Sequence, residues 1–344
     1  MQTKERQLLA PLTTFGIGGP ARWFVEAATE AEIVEACDWA HEQGVPLFVL
    51  GGGSNVLVAD EGFPGLVLHV ALKGIKQDGE LFRVAAGEGW DEFVDRALAA
   101  NCAGLECLAG IPGTVGGTPV QNVGAYGQEA ASIIERVRAF NLVDRTFVEF
   151  ANGECGFAYR SSRFNSTDCG RYVVTRVDYE LRQDGAPLIA YRDLKDHFAD
   201  WAKSPTLTET ADAVRSIRRS KGMLLVDGEP DCRSAGSFFK NPSVAEEVAS
   251  HVRKVAAGAG ASLRIFPADD GLLKIPAAWL IEQAGFKKGD RMGAAAISSR
   301  HTLALVNDGS ATAKDILALA ETIRAAVEER FGIRLEIEPE MVGF

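Results

Sequence analysis

Three glycine-rich segments in the first 130 residues constrain this chain more than any other feature of its sequence. They read TTFGIGGPA at 13–21, LGGGSNVLV at 50–58 and AGIPGTVGGTPVQNVGAYG at 109–127. Glycine lets a backbone approach a ligand closely, and successive amide N–H groups in such a loop can bind an anion. One such segment alone is typical of a tight turn. The three together, one of them followed directly by Ser54 and Asn55, favour a bound dinucleotide or a similar diphosphate.

None of the three segments matches the G-x-G-x-x-G fingerprint of a Rossmann fold, which stands between a strand and a helix. The periodicity predicts a helix at 29–44, then a short apolar strand at 45–50 that opens onto the second glycine run. Strands at 65–70 and 81–87 and an amphipathic helix at 90–101 follow. This order predicts an α/β unit at the start of the chain.

Farther along, the hydrophobic period changes to two, which predicts antiparallel strands. The predicted elements are strands at 133–143, 145–150 and 171–182, a helix ending at 218–222, helices at 244–258, 276–285 and 312–331, and strands at 302–307 and 333–338. The predicted fold class is therefore α+β. Domains are predicted at 1–70, 71–204 and 205–332, with residues 333–344 returning to the first domain.

The long C-terminal helix has a predicted start signal and a predicted buried face. Thr312 and Asp315 have the spacing of a capping box. The apolar residues at helical spacing are Ile316, Leu319, Ile323 and Val327. Pro276 is expected in the first turn of the preceding helix.

Charge and cysteine usage exclude several classes of protein. The chain has 36 Lys and Arg against 47 Asp and Glu, a formal net charge of −11, so its field repels nucleic acid and anionic membranes. Its six cysteines form no C-x-x-C pair and its five histidines no metal motif. No run of about 20 apolar residues occurs, and the N-terminus is polar. We expect a reduced cytoplasmic protein without a metal.

Two short motifs and the C-terminus carry further chemical candidates. Tyr159 and Arg160 stand side by side, and a guanidinium can bind a carboxylate or phosphate, although such a pair is more often a strand residue with a solvated neighbour. GSFFKNP at 236–242 places a serine before two aromatic rings, and alone it is more often a turn. In the predicted last strand, Glu336 and Glu338 share one face, and either is explained equally well as a surface charge.

Taken together, these segments resemble the UDP-N-acetylenolpyruvoylglucosamine reductases (the MurB family), flavoenzymes of peptidoglycan synthesis. The resemblance runs from residue 11 to residue 343. Its motifs, in chain order, are LGGGSN, GIPGTVGG with QNVGAYG, YRSSRF, YRDL, RRSKG, GSFFKNP, PAAWLIEQAGFKKG and a terminal L-x-x-E. Eight ordered matches are far more specific than one glycine loop.

The resemblance implies a three-domain FAD-binding fold of the vanillyl-alcohol oxidase type with a separate substrate-binding α/β domain. FAD would be held noncovalently, with its diphosphate in the glycine loops. The cofactor-binding residues implied are Gly51, Gly52, Gly53, Ser54, Asn55, Gly110, Ile111, Pro112, Gly113, Thr114, Gly116, Gly117, Gln121, Asn122, Gly124, Ala125 and Tyr126.

The resemblance also implies the reaction, in which NADPH reduces FAD and the flavin then reduces a UDP-sugar enolpyruvyl ether. Arg160 matches the arginine that contacts the enolpyruvyl group, Ser237 the proton donor and Glu338 the essential C-terminal glutamate. The residues that match sugar-nucleotide contacts are Tyr159, Tyr191, Lys221 and Asn241. Tyr191 matches the tyrosine of a loop that covers substrate in one of the family's two structural types.

Around the serine, we expect the two rings to exclude water and Lys240 or nearby amides to stabilise the alkoxide. Pro339 and Glu340 follow Glu338 where the family commonly has V-R, so Glu340 is a rival for the glutamate's role. We expect a monomer that binds a small-molecule UDP-sugar. Two alternatives are an FAD-dependent oxidase of the same fold, excluded if peroxide production is slow, and a non-catalytic binding module, which would be redox-silent.

Overall fold

The computed structural model describes residues 2–229, 231–268 and 271–344. Two of the predicted domains include residues that lie outside these described ranges. The predicted first domain begins at Met1, and the predicted third domain contains Pro230, Asp269 and Asp270.

Except for one short helix at 192–197, which was not predicted, the helices lie where the hydrophobic period predicts them. Those of the described residues are α1 (Glu30–Glu42), α2 (Trp90–Ala99), α3 (Arg192–His197), α4 (Leu207–Ser220), α5 (Glu246–Gly258), α6 (Ala277–Gln283) and α7 (Ala313–Phe331). The predicted helices at 29–44, 90–101, 244–258, 276–285 and 312–331 are confirmed to within two residues at each end. Pro276 was predicted to lie in the first turn of α6. It is instead the N-cap residue, directly before that turn.

Most strands of the described residues are short, and the four longest have eight or nine residues. The strands are β1 (Lys4–Leu8), β2 (Pro20–Ala27), β3 (Leu47–Leu50), β4 (Val56–Val58), β5 (Phe63–Val70), β6 (Ile75–Asp78), β7 (Leu81–Ala85), β8 (Cys102–Ala103), β9 (Gly124–Ala125), β10 (Gln128–Glu129), β11 (Ile134–Asn141), β12 (Thr146–Ala151), β13 (Tyr172–Glu180), β14 (Arg182–Gln183), β15 (Ser243–Val244), β16 (Phe266–Pro267), β17 (Leu273–Lys274), β18 (Arg291–Met292), β19 (Ala295–Ile297), β20 (Leu305–Asn307) and β21 (Glu340–Val342).

The chain divides into two compact units. The first comprises Met1–Leu8, Pro20–Gly53 and Phe63–Ser220, and the second comprises Leu9–Gly19, Ser54–Gly62 and Lys221–Phe344. The predicted borders near 70 and 205 do not coincide with these bounds, and the division into three domains stays a prediction.

Two sheets form the framework of the first unit. One has the order β1-β2-β5-β3, in which β2, β5 and β3 are parallel and β1 is antiparallel to β2. The other has the order β12-β11-β13-β7-β6 and is antiparallel, which confirms the prediction from the period of two. Helix α1 begins at a capping box of Thr29 and Glu32. Glu30, in its first turn, accepts hydrogen bonds from Arg138 and Thr175 and so joins α1 to the antiparallel sheet.

The second unit is built around α7. Its capping box of Thr312 and Asp315 is present, and Ile316, Leu319, Ile323 and Val327 are all buried, as predicted. Strand β21 pairs in parallel with β4. The C-terminus therefore does pair with a strand of the predicted first domain, but that strand itself belongs to the second unit.

The prediction of a regular strand at 333–338 is wrong. Burial does alternate there, with Ile333 and Leu335 buried and Arg334 and Glu336 exposed. The backbone, however, forms one isolated bridge, between Ile337 and Phe239, and the regular strand begins at Glu340. The carbonyl of Leu335 instead accepts a hydrogen bond from the Arg324 guanidinium, which replaces a ladder contact.

Candidate functional site

Two of the glycine segments contact each other through their backbones in the first unit. A Cβ atom on Gly52 would lie 2.6 Å from the Cα of Gly113, and one on Gly51 would lie 2.8 Å from Thr114 Oγ1. Real Cβ atoms do not approach backbone that closely, so glycine is required at position 52 for the two loops to touch. The sequence predicted that both loops bind a ligand but not that they meet.

The amide groups of the first of these loops are available to an anion. The N–H groups of Gly52 and Gly53 donate to no other residue that the structure describes. Gly53 has φ +62°, a left-handed conformation that turns successive amides toward one side. The loop therefore has the backbone geometry of an anion-binding nest.

The loop at 110–117 is held by backbone hydrogen bonds to residues that precede it in the chain. Val115 N–H donates to the Glu88 carbonyl at 2.9 Å, and Gly116 N–H to the Ala86 carbonyl at 2.8 Å. A Cβ atom on Gly116 would lie 2.8 Å from the Ala86 Cβ. At the start of the loop, Gly110 N–H donates to Asp91 Oδ1 at 2.7 Å. These contacts fix the loop before any ligand binds.

Arg160 stands at the corner of a tight turn that is fastened to the same glycine-rich region. Ala158 and Ser161 exchange both backbone hydrogen bonds, and Arg160 between them has φ +53°. Its guanidinium donates to the Gly124 carbonyl at 2.7 Å and lies over the Tyr159 ring, 5.3 Å from the centroid. The structure thus brings the predicted arginine to the predicted cofactor loop.

Asn122 explains why this turn is rigid. It is buried, and its side-chain amide donates to Glu129 Oε2 and to the Ala158 carbonyl, while its side-chain oxygen accepts from Ala131 N–H. These bonds give Asn122 a structural role inside the protein. Its predicted contact with a cofactor stays a prediction.

Tyr126 and Tyr191 meet edge to face in the first unit. Their ring centroids are 5.4 Å apart with an interplanar angle of 87°. Tyr126 is buried, and burial raises the pKa of its hydroxyl to about 12, whereas Tyr191 is 46% exposed. A residue predicted to bind cofactor therefore supports one predicted to bind substrate.

Arg218 is a buried cation beside the glycine loop at 110–117, and it was not among the predicted site residues. It belongs to the RRSKG motif, lies buried on α4, and its Nε donates to the Gly110 carbonyl at 3.0 Å. Burial lowers the pKa of its guanidinium. Its spacing from the buried Leu207, Ala211 and Val214 places it on the apolar face of α4, and that pattern was the available signal.

In the second unit, Ser237 and Glu338 lie on two segments that run side by side. Phe238 N–H donates to the Leu303 carbonyl, and Glu338 N–H donates to the Phe238 carbonyl at 2.9 Å. The Ser237 hydroxyl is half-buried and has no hydrogen-bond partner among the described residues. Two of the three predicted catalytic residues are therefore neighbours across one short antiparallel contact.

The two rings of GSFFKNP anchor this segment in the core of the second unit. Phe238 and Phe239 are 0% and 1% exposed, and Phe238 packs edge-on against Phe15. Their predicted exclusion of water from the serine stays a prediction. Lys240, expected near the serine, forms an ion pair with Glu336 at 2.5 Å.

The end of the second glycine segment belongs to this same unit. Asn55 Nδ2 donates to the Glu338 carbonyl at 3.2 Å, and Glu340 N–H donates to the Asn55 carbonyl at 2.9 Å. The Ser54 carbonyl accepts from Thr14 Oγ1 at 3.3 Å. Asn55, predicted to bind cofactor, therefore also positions the predicted catalytic glutamate. Desolvation raises the pKa of Glu340, the rival carboxyl group.

The remaining predicted residues lie in loops and helix ends. The Asn241 side-chain oxygen accepts from Ala277 N–H at 2.8 Å, which fixes the orientation of its amide at the start of α6. Lys221 follows the last residue of α4 directly. Ile111, Pro112 and Gln121 lie in the loops of the first unit, Gly117 ends a short 3₁₀ turn, and Ala125 lies in β9.

The predicted site residues thus divide between the two units. The first unit contains the loops at 51–53, 110–117 and 121–126 with Arg160 and Tyr191, and the second contains Ser54, Asn55, Lys221, Ser237, Asn241 and Glu338. Among the described residues, no group of His, Cys, Asp and Glu side chains has the arrangement of a metal site.

Two family models match separate parts of the chain. A model described as "UDP-N-acetylenolpyruvoylglucosamine reductase, C-terminal domain" matches residues 229–342, and one described as "FAD binding domain" matches residues 21–146.

Similar proteins cover nearly the whole chain. A UDP-N-acetylenolpyruvoylglucosamine reductase of Streptomyces coelicolor is 46% identical over 341 residues, which cover 97% of this chain and 89% of that protein. One of Thermobifida fusca is 46% identical over 346 residues, 97% of this chain and 96% of that protein. The crystal structure of the Thermus caldophilus reductase (MurB) is 31% identical, with a TM-score of 0.69 and 99% of both chains covered.

Proposed function

Because this chain belongs to the UDP-N-acetylenolpyruvoylglucosamine reductase family, we propose that it binds FAD and the UDP-sugar substrate and catalyses a single reduction. The chain is a flavin-dependent oxidoreductase of peptidoglycan precursor synthesis. Its predicted α+β, FAD-binding fold is confirmed by the matching FAD-binding domain and by the Thermus caldophilus structure. The reaction proposed is the NADPH-dependent reduction of UDP-N-acetylglucosamine enolpyruvate to UDP-N-acetylmuramate.

The glycine loops fit the diphosphate of FAD. The free amides of Gly52 and Gly53 suit an anion, and the close approach of Gly52 to Gly113 leaves no room for side chains between the loops. The loops at 110–117 and 121–126 would hold the rest of the cofactor. When bound, FAD supplies hydride transfer, and the protein supplies binding, orientation and electrostatics.

The observation that carries the proposal is the pairing of the GSFFKNP segment with the C-terminal segment. It fixes Ser237 beside Glu338 through the bond from Glu338 N–H to the Phe238 carbonyl. A proton donor and a carboxyl group at one short contact suit a reaction that ends in protonation of carbon.

Each proposed catalytic residue has one task. Arg160, fixed by the Gly124 carbonyl, stabilises negative charge on the substrate's carboxylate as its double bond is reduced. Ser237 then protonates the carbon next to that carboxylate: its O–H bond breaks, a C–H bond forms, and the alkoxide recovers a proton from water. Glu338 orders the groups around that carboxylate or, in its protonated form, polarises it. Tyr159, Tyr191, Lys221 and Asn241 hold the UDP-sugar.

We place the protein in the cytoplasm as a monomer. Cys37, Cys102, Cys107, Cys155, Cys169 and Cys232 are all free thiols, which suits a reducing compartment. Light scattering of the purified protein tests the monomer, which has a mass of 36.8 kDa. As a separate finding, no described helix is long and apolar enough to cross a membrane.

The function is tested by the absorption spectrum and by NADPH oxidation with and without the UDP-enolpyruvyl sugar. We expect flavin bands, slow NADPH oxidation alone, and rapid oxidation with the enolpyruvyl substrate. UDP-N-acetylglucosamine, which lacks the enolpyruvyl group, is the control and should leave the slow rate unchanged. A colourless protein, or rapid peroxide formation without the enolpyruvyl sugar, would overturn the proposal.

A further inference from the structure

One buried carboxyl group plays no part in the proposed chemistry. Glu106, in a 3₁₀ turn spanning Glu106–Leu108, is 0% exposed in the first unit. Acidic side chains are rarely buried to this extent unless their oxygens are paired, because burial removes their hydration. Its partners therefore indicate what it is for.

Three N–H groups converge on the two oxygens of Glu106. Oε2 accepts from Gly104 N–H at 2.8 Å, and Oε1 accepts from Gln128 Nε2 at 2.6 Å and from Leu188 N–H at 2.8 Å. A carboxylate suits this arrangement because it only accepts hydrogen bonds. Gln128 is itself oriented, since its side-chain oxygen accepts from Cys107 N–H.

The bond to Leu188 reaches the segment that carries Tyr191. Residues 184–191 have no helix or strand structure. Between residues 186 and 190, the backbone hydrogen bonds to other described residues all lie at Leu188, whose N–H donates to Glu106 and whose carbonyl accepts from Cys107 Sγ at 3.1 Å. Leu188 is therefore the point at which this segment is fastened to the core.

The same network closes back onto the glycine-rich region. Gln128, which donates to Glu106, follows Tyr126 by two residues, and Tyr126 packs against Tyr191. Ala190 lies beside Gly127, where an added Cβ would be 3.7 Å from the Ala190 Cβ. The Tyr191 segment is thus held at Leu188 by Glu106 and Cys107, and at Tyr191 by Tyr126.

We propose that Glu106 is a positioning residue that fixes the Tyr191 segment against the cofactor loop, so that Tyr191 is in place when the UDP-sugar binds. This inference rests on the proposed function, in which Tyr191 contacts substrate. Glu106 acts through its hydrogen bond to the Leu188 backbone. Without the Glu106 carboxylate, the Tyr191 segment loses the hydrogen bond that restrains it at Leu188.

The test compares two variants at Glu106 with two at Leu188, and Tyr191→Ala tests the substrate contact itself. Glu106→Ala removes both acceptor oxygens, whereas Glu106→Gln keeps one oxygen that can still accept from Leu188. Leu188→Pro removes the backbone N–H that donates to Glu106 and leaves the Glu106 side chain in the protein. Leu188→Ala keeps that N–H and is the control for Leu188→Pro. The measurements are the KM for the UDP-enolpyruvyl sugar, the rate of flavin reduction by NADPH alone, the FAD content, and the rate of tryptic cleavage after Arg192.

We expect Glu106→Ala and Leu188→Pro to raise the KM by about tenfold or more, the usual effect of losing a hydrogen bond to a charged group. Flavin reduction by NADPH and FAD content should stay near those of the native protein, and cleavage after Arg192 should become faster. Glu106→Gln should recover much of the loss, and Leu188→Ala should resemble the native protein.

Three results would overturn the inference. The first is an unchanged KM in both Glu106→Ala and Leu188→Pro. The second is an equal fall in FAD content and in both half-reactions, which would indicate a general structural role. The third is an unchanged KM in Tyr191→Ala, which would also remove Tyr191 from the substrate site. Failure of the proposed function gives a different result, because the native protein would then not oxidise NADPH with the enolpyruvyl sugar. The tryptic cleavage assay would still measure whether Glu106 restrains the Tyr191 segment.

Discussion

Ser237 is held by its neighbours and not by its own hydroxyl. The buried Phe238 and Phe239 and the backbone bonds to Leu303 and Glu338 fix the segment, while the hydroxyl bonds to no described residue. A hydroxyl in this situation keeps its proton available for a ligand. This arrangement separates the structural task of GSFFKNP from its chemical one.

Replacing Ser237 by alanine should affect only the second half of the reaction. We expect Ser237→Ala to reduce flavin with NADPH at nearly the native rate and to slow reoxidation by the enolpyruvyl sugar by about 10²–10⁴-fold, the usual contribution of general acid catalysis. Stopped-flow absorbance measures both steps separately. Ser250→Ala, which removes a hydroxyl that donates to Glu246 within α5, is the control. An equal effect on both half-reactions would contradict the role as proton donor.

A second prediction separates the two C-terminal glutamates. Glu338 is clamped by its N–H to Phe238 and by its carbonyl to Asn55, beside the serine, whereas Glu340 begins β21. We expect Glu338→Gln to lower kcat by about 10²-fold or more, because a charge-assisted contact in a catalytic site is lost. Glu340→Gln should keep most of the activity. If kcat falls in Glu340→Gln and not in Glu338→Gln, the two assignments must be exchanged.

Among the secondary elements and loops, the contact between the glycine runs leaves no space for a side chain at Gly52. Gly52→Ala places a Cβ 2.6 Å from the Gly113 Cα, so one loop must move. We expect FAD to bind at least about tenfold more weakly, which corresponds to about 1.4 kcal/mol. Flavin retention on dilution measures the change.

The control for Gly52→Ala is Gly153→Ala, in a surface turn where an added Cβ meets nothing within 4 Å. That variant should retain FAD like the native protein. Native FAD affinity in Gly52→Ala would show that the loops can separate without cost, and the proposed diphosphate cradle would then be wrong.

The capping box of α7 gives a prediction for stability. Thr312 Oγ1 accepts from Asp315 N–H, so Thr312→Ala should lower the free energy of unfolding by about 1 kcal/mol. Thr312→Ser keeps the oxygen and should lose much less. Chemical denaturation measures both, and equal losses would contradict a capping role.

The same cap predicts the direction of a pH effect. Hydrogen bonds from the Thr312 N–H and hydroxyl lower the pKa of Asp315 below its ordinary 3.8. Because the pKa in the folded protein is the lower one, the stabilisation is present above pH 3.8 and is lost as the pH falls through the folded value. Unfolding measured from neutral to acid pH should show a smaller acid-dependent loss in Asp315→Asn than in the native protein.

Across the entire chain, the cysteines report how completely each part is folded. Burial raises the pKa of Cys37, Cys107 and Cys155 to about 12, whereas Cys169 is exposed. We expect a maleimide at neutral pH to modify Cys169 rapidly and these three thiols only after unfolding, since the thiolate is the nucleophile. Mass spectrometry identifies the sites, and Cys169→Ser should remove the fast reaction. Rapid native labelling of Cys107 would show that the Leu188 segment opens readily.

Local features were predictable because they depend on residues close together in the chain. The helix period gave α1, α2, α5 and α7, and the spacing of Thr312 and Asp315 gave a cap that the structure confirms. The resemblance identified the family, which the comparisons confirm. The strand expected at 333–338 failed because alternation of burial does not require a hydrogen-bonded partner along the whole segment.

The sequence by itself therefore determined the helices other than α3, the antiparallel strands, the glycine-rich segments and the family. Packing decided which distant residues meet: Gly52 with Gly113, Arg160 with Gly124, Arg218 with Gly110 and Glu106 with Leu188. Asn55 and Glu338 are 283 residues apart and share a hydrogen bond. Periodicity and capping act over a few residues, whereas such pairs form only when whole elements pack and bury their polar groups together, and no short stretch of sequence encodes that outcome.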